Sequence, residues 1–346
     1  MTTTSRSVTL PLLAIAIVIV GAALHELRPV MLPFVVALFL SNIFRPLIVY
    51  LTNRHVPMAV ALLLVFVLVG AVLLMVTLVA ISSVQSLIAA LPRYEARWNE
   101  TILPGIQHLL DGAPQSVQDQ LKDLKWSNVV QVSAILSVIY AGAGGFMSVL
   151  SGLGLILLFM LFILGGHGLF ERKIRAAYPD HAESLTNVIR KIDEKTERYF
   201  ITVTLMNLVS GIIATIILSA FGVDLALLWG LVTFLLCFIP TIGSIIALAL
   251  PILVAFLQFG SLGTAIEVAI TLIVIEFLWG SVLTPRIMGS SMDLSPLLVL
   301  LALIFWGWIW GPWGMIFSVP IMAMIKIVFE SIPATKSIGI LMGAKA

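Results

Sequence analysis

Charged side chains are scarce in this sequence. Asp, Glu, Lys and Arg together make up 10% of its 346 residues, hydrophobic residues make up 60%, and the mean hydropathy is +1.14. So little polar surface cannot coat a water-soluble globule of this length, so the apolar excess must face lipid. Cysteine is scarcer still. The single Cys237 excludes an intrachain disulfide framework and any CxxC or multi-cysteine metal site; inside an apolar run it reads as a small packing residue. His55, His167 and His181 lie near membrane boundaries in basic contexts, with no helical pairing that suggests a metal. The GxxxxGK[ST], HExxH and GxSxG patterns are absent, which removes support for ATP-driven pumping and for familiar hydrolase chemistry. No nucleophile and base converge as an intramembrane enzyme would need, and no cofactor is expected. A formal net charge of +2 leaves no basic surface fit for nucleic acid.

What is present is a series of long apolar runs. Met58 to Ala80, Gly145 to Gly165 and Leu262 to Leu283 are near the roughly 20 residues that a helix needs to cross the hydrocarbon. A β-barrel would instead show short alternating segments. The predicted fold is an all-α polytopic membrane protein of about eight membrane helices or helix equivalents, with two Gly/Pro-broken hairpins as an inverted repeat. Residues 1–91 hold helices 1 to 3, the first of which, Val8 to Leu24, reads as a span rather than a signal peptide because another span follows closely. Residues 92–132 are polar and hold Pro104, Gly112 and Pro114, as expected of an extracytoplasmic amphipathic segment. Helix 4 occupies 133–165, opening on Gly142, Gly144 and Gly145, which permit close helix contact. In 166–198, Leu185, Val188, Ile189 and Ile192 recur at the spacing of an amphipathic helix, expected at the cytoplasmic face. Two repeat units, 199–260 and 261–330, precede a cytoplasmic tail, 331–346.

Orientation follows from the basic residues, which stay preferentially on the cytoplasmic side. With a cytoplasmic N-terminus, Arg28, Arg93, Arg97, Lys122 and Lys125 lie outside and the other fourteen of the 19 lysines and arginines lie inside. Both termini are therefore expected in the cytoplasm.

Each repeat unit is a helix followed by a broken hairpin. Asp224-Leu225 opens the first hairpin, Pro240-Thr241-Ile242-Gly243 breaks it, and Pro251 lies in its descending arm, 27 residues after Asp224. Asp293-Leu294, Gly311-Pro312-Trp313-Gly314 and Pro320 do the same in the second, again with 27 residues from Asp to Pro. Helix 5, ahead of the first hairpin, climbs outward and the Leu262 to Leu283 helix descends, so the two units have opposite orientations. Arms of about 15 to 18 residues lie between a re-entrant segment and a full span, and re-entrant arms are favoured. Inverted repeats with interrupted helices are an architecture of secondary transporters, in which unwound backbone and half-helix ends bind substrate or coupling ion.

Ionisable groups inside lipid are expensive and usually face a cavity or a partner. Glu276 is the first candidate for a proton- or cation-linked site; its alternative is a structural hydrogen bond to a neighbouring helix or to Arg286. Glu267, nine residues earlier, falls on the opposite face and cannot pair with it. Asp224 and Asp293 are explained by helix N-capping and kept as candidate ligands. Asn207, with Thr204 and Ser210, offers polar groups that also glue membrane helices. Pro240, Thr241 and Gly243, with Gly311 and Gly314, are expected to present bare carbonyls and amides at the hairpin tips. Trp306, Trp308, Trp310 and Trp313 fit packing or interfacial anchoring, with a ligand lining as the alternative.

The Pro240-Thr241-Ile242-Gly243 tip with Pro251, Glu276 followed by Leu283-Thr284-Pro285-Arg286-Ile287-Met288-Gly289, the run from Pro296 through Gly311, Gly314 and Pro320, and Leu27-Arg28-Pro29 near Pro33 and Pro46 resemble the AI-2E family of bacterial transporters over nearly the whole chain. The sequence departs from the family where an Asn often follows the Glu: Trp279-Gly280-Ser281 stands there. The resemblance implies an inner-membrane exporter of a small polar solute such as autoinducer-2, or a sodium/proton antiporter, working as a homo-oligomer, with a pentamer as the expectation. It leaves the solute and the coupling ion, H+ or Na+, open. A channel-like oligomer and a membrane scaffold are the competing readings.

Overall fold

The computed structural model describes residues 15, 18–109, 152–166, 172–283, 286–287 and 293–344. The start of helix 1, most of the 92–132 segment, the glycines opening helix 4, His167 and the Thr284-Pro285 and Met288-Gly289 parts of the motif lie outside the described residues. Those described form helices, with no strand among them, and six are long and apolar enough to cross a membrane: Arg28–Asn53, Met58–Gln107, Pro179–Ala220, Ile242–Phe259, Leu262–Gly280 and Pro312–Ser331. Gly152–Gly166, Ala226–Leu236 and Pro296–Trp310 are shorter apolar helices. The chain is a polytopic membrane protein.

Two helices run further than the sequence suggests. The sequence places a boundary at Tyr199, where charged residues give way to apolar ones, yet Ala182–Ala220 is one uninterrupted helix. Its polarity changes along its length, but it holds no proline and no glycine before Gly211, so nothing breaks the backbone. The Met58–Arg97 helix likewise passes through Pro92 and continues, by a π-helical turn at Trp98–Ile102, to Leu109. Leu91, Tyr94, Trp98 and Ile102 are buried against Trp229, Val254 and Leu257, and this packing outweighs the hydrogen bond that Pro92 cannot donate.

The chain divides into two compact units. One comprises Met1–Phe66, Gly152–Thr202 and Met288–Ala346. In it Phe39 packs on Phe200 and Phe317, with ring centroids 4.7 and 4.8 Å away, and Arg45 pairs with Asp193 at 3.4 Å. Its hairpin is Pro296–Trp310, Gly311, Pro312–Ser331. Ser295 caps the first arm by accepting from the Leu298 amide at 3.3 Å, and Gly311 turns the chain at φ 65° and ψ −144°, a conformation that excludes a side chain.

The other unit comprises Val67–Ser151 and Val203–Ile287. Its hairpin rises through Ala226–Leu236 and returns through Ile242–Phe259. Gly260 and the Ser261 N-cap then reverse the chain into Leu262–Glu276. The rising arm crosses the Ala182–Ala220 helix at two glycines. A Cβ on Gly211 would stand 2.6 Å from the Gly230 carbonyl oxygen, and one on Gly230 would stand 2.5 Å from the Gly211 carbonyl oxygen. Gly211→Ala is therefore expected to destabilise the protein by about 1–3 kcal/mol, read as a lower thermal midpoint in detergent; an unchanged midpoint would show that this crossing can widen freely.

Candidate functional site

Within the second of these units, Glu276 sits at the last α-helical position before the backbone widens into a π-helix over Phe277–Leu283. Such widened turns are frequent at functional sites because they shift the register of the side chains that follow. The Glu276 carboxylate accepts from the Ser210 hydroxyl at 2.9 Å, and the Cys237 thiol lies 3.8 Å from its other oxygen. Among the described residues its partners are these two groups rather than Arg286. The helix bearing Ser210 runs antiparallel to that of Glu276, and the Trp279 indole donates to the Met206 carbonyl at 3.0 Å to hold the register.

Ser210 and Glu276 line a small cavity of about 20 Å3 with Thr233, Ala247, Pro251 and Leu272, room for about one water-sized particle. Thr233 donates its hydroxyl to the Trp229 carbonyl at 2.8 Å, leaving its oxygen lone pairs free to accept. Pro251 has no N–H, so the Ala247 carbonyl, four residues back, lacks its helical donor. The rest of the wall is apolar.

The other sequence candidates are placed differently. Asn207 is buried one turn before Ser210, and its amide nitrogen has no partner among the described residues; it does not line the cavity. The first hairpin tip reaches Glu276 through Cys237, but Pro240, Thr241 and Gly243 offer fewer bare groups than expected. The Pro240 carbonyl accepts from the Ile242 amide at 2.7 Å, and the Ile239 carbonyl accepts from Gly243 at 3.0 Å. At the second tip Gly311 donates to Gly307 at 2.8 Å and accepts from Met315 at 3.2 Å. A turn at membrane depth satisfies its backbone internally because lipid offers no hydrogen-bond partner. Trp306 and Trp310 pack with Leu24, Met31 and Val35, and Trp308 is exposed.

Neither aspartate is an N-cap. Leu225 and Ser295 hold the cap positions, and each aspartate clasps a hairpin base instead. Asp224 accepts from Tyr94 at 2.9 Å and pairs with Arg93 at 3.3 Å, while its amide donates to Gln258 at 2.7 Å. Asp293 accepts from the buried Lys326 at 2.6 Å, and Lys326 also reaches Glu330 at 3.5 Å. The Lys326 hydrogen bond holds the Asp293 carboxyl below the usual carboxylate range against the opposing pull of burial, with help from the Lys326 charge, the Ala344 amide and the Lys195 charge.

Thr233, Cys237 and Ala247 went unrecognised in the sequence. Thr233 and Cys237 stand four residues apart, a polar pair on one face of an apolar arm, which was a legible signal. The Ala247 carbonyl is visible only through Pro251.

The model of the AI-2E family transporter matches residues 12–334. The AI-2 transport protein TqsA of Escherichia coli is 31% identical over 332 residues, covering 94% of this chain and 93% of the relative. A Haemophilus influenzae protein provisionally named a transport protein is 29% identical over 95% of this chain and 94% of its own length. Bacillus subtilis YrrI, also provisionally named a transport protein, is 24% identical over 87% of this chain and 86% of its own.

Proposed function

The chain belongs to the AI-2E transporter family, and from that premise we propose that it is a secondary transporter exporting a small polar solute of the autoinducer-2 type across the bacterial inner membrane, driven by a proton or sodium gradient. Family membership sets it among transporters rather than enzymes. The observation that carries the gradient-driven mechanism is the Glu276 carboxylate, held by Ser210 beside a small cavity inside a membrane helix. An ionisable group in a membrane helix costs up to about 2.5–3.5 kcal/mol at the bilayer centre on insertion scales, a cost that a proton- or cation-binding role accounts for.

The autoinducer-2 assignment rests on the likeness to TqsA. The two Asp-to-Pro hairpins support an alternating-access mechanism in which inverted repeats carry a site between the two faces. A cavity of about 20 Å3 is too small for a sugar-sized solute, so this conformation offers the coupling particle, and not the solute, a place beside Glu276.

The test is export of autoinducer-2 from proteoliposomes under imposed proton or sodium gradients. Wild-type protein should show flux that collapses when the gradient is dissipated. Glu276→Gln, with folding retained, should lower it by at least about tenfold, as the loss of a charge-bearing site implies. Undiminished gradient-driven flux in Glu276→Gln would remove this residue from the mechanism.

A further inference from the structure

We propose that the cavity beside Glu276 is a binding site for one dehydrated monovalent cation of about sodium's size, liganded by the Glu276 carboxylate, the Ser210 and Thr233 hydroxyl oxygens and the Ala247 carbonyl that Pro251 sets free. The inference rests on the transporter reading for the role of Glu276 and goes beyond it in naming the ion and three further ligating groups.

Four features carry it. All four oxygen-bearing residues line one cavity, and their groups are the hard oxygen donors that alkali cations prefer. Only one of them is charged, so a monovalent cation neutralises the site, whereas a divalent ion would leave a net positive charge in an apolar wall. The cavity of about 20 Å3 admits a particle the size of one water, so the ion enters without its hydration shell. Finally, the site offers more acceptors than a proton uses. A protonated Glu276 gains one O–H donor, which a single acceptor satisfies, whereas a cation takes several oxygens at once, and Pro251 adds one by removing a backbone donor inside a membrane helix, where an unsatisfied carbonyl is costly. A cation at this point satisfies the Ala247 carbonyl and the carboxylate together, as unwound carbonyls do at ion sites of broken-helix transporters.

Ser210 keeps its lone pairs while donating to Glu276, and Thr233 keeps its own while donating to Trp229, so both hydroxyls can accept the cation without losing these bonds.

The experiment is the thermal midpoint of the purified full-length protein in detergent, at fixed pH and ionic strength, as sodium chloride replaces choline chloride, with potassium chloride as the comparison. A ligand that binds the folded state raises the midpoint with a saturating concentration dependence. Sodium should do so and potassium should do so less. Glu276→Gln should abolish the shift, and Thr233→Val, which keeps the shape and removes one oxygen, should move its midpoint concentration by at least about tenfold. A midpoint that responds to pH but not to sodium would overturn the proposal and leave Glu276 as a protonation site, and so would a sodium shift that Thr233→Val does not alter. Flux distinguishes this failure from that of the transporter reading. Proton-driven export in sodium-free buffer would defeat the cation site alone, while sodium binding without export of any kind would defeat the transporter reading alone.

Discussion

Gly243→Ala is expected to destabilise the first hairpin by about 3 kcal/mol or more, at the upper end of what overpacking costs, and Gly314→Ala to do the same in the second. A Cβ on Gly243 would stand 1.8 Å from the Leu236 carbonyl oxygen, and one on Gly314 would stand 1.8 Å from the Trp306 carbonyl oxygen. In both cases the obstacle is the backbone of the rising arm, which has no rotamer to change, so the arms must separate. The readout is the thermal midpoint in detergent beside gradient-driven flux. Either variant behaving as wild type in both measurements would show that the arms part without consequence, and the close tip would then be incidental. The two tips differ in sequence, yet each hairpin has a glycine where its returning arm meets the carbonyl of its rising arm.

Asp293→Ala is expected to cost about 3 kcal/mol, the lower end of the range for breaking a buried ion pair. It takes the carboxylate from Lys326, which is only 5% exposed, and leaves it the backbone carbonyl of residue 293 at 2.5 Å and Glu330 at 3.5 Å. Lys326→Met should cost less, because it removes the buried charge and leaves Asp293, whose side chain is 34% exposed, within reach of water. Equal losses in the two variants would mean that the clasp acts through something other than burial of the lysine. The same pair sets an acid limb. Because the folded-state pKa of Asp293 is lowered, its contribution is fully present above the unfolded value of roughly 4 and is lost as pH falls through the lower folded value. Asp293→Asn should therefore be less stable than wild type at neutral pH and should lose less on acidification. A wild-type midpoint flat from neutral pH down to about 3 would remove the clasp from the stability of this hairpin.

These clasps correct a simple reading of local sequence. An aspartate before an apolar run is expected to cap it, and the run after Asp224 or Asp293 begins within a few residues. Capping needs the side chain to turn toward the first free amides, and here cations on other segments compete for it: Arg93 from a helix 131 residues away in sequence, and Lys326 from the returning arm. A lysine or arginine adds the attraction of a full positive charge to a hydrogen bond that a free amide would also donate, so each carboxylate turns to the cation, and Ser295 takes the cap in the second hairpin.

The candidate site was legible in its most expensive member and obscure in the others. Glu276 stands out because an ionisable residue in a long apolar helix is rare enough to need a reason. Ser210 stood among several small polar residues of equal claim, and Asn207, which had that claim too, is buried without lining the cavity. Cys237 looked like packing because a lone cysteine in an apolar run usually is.

By itself the sequence determined that this chain crosses a membrane repeatedly as helices, that two hairpins share a spacing from Asp to Pro, and that Glu276 merits attention. Each follows from composition or from periodicity along the chain, which depend on no distant contact. The tertiary structure alone decided that helices run through Pro92 and Tyr199, that the aspartates clasp cations, and that Ser210, Thr233, Ala247 and Glu276 line one cavity. Ser210 and Glu276 are 66 residues apart, and their meeting depends on the antiparallel register of two helices and on glycines that let a third approach, quantities that no local pattern carries.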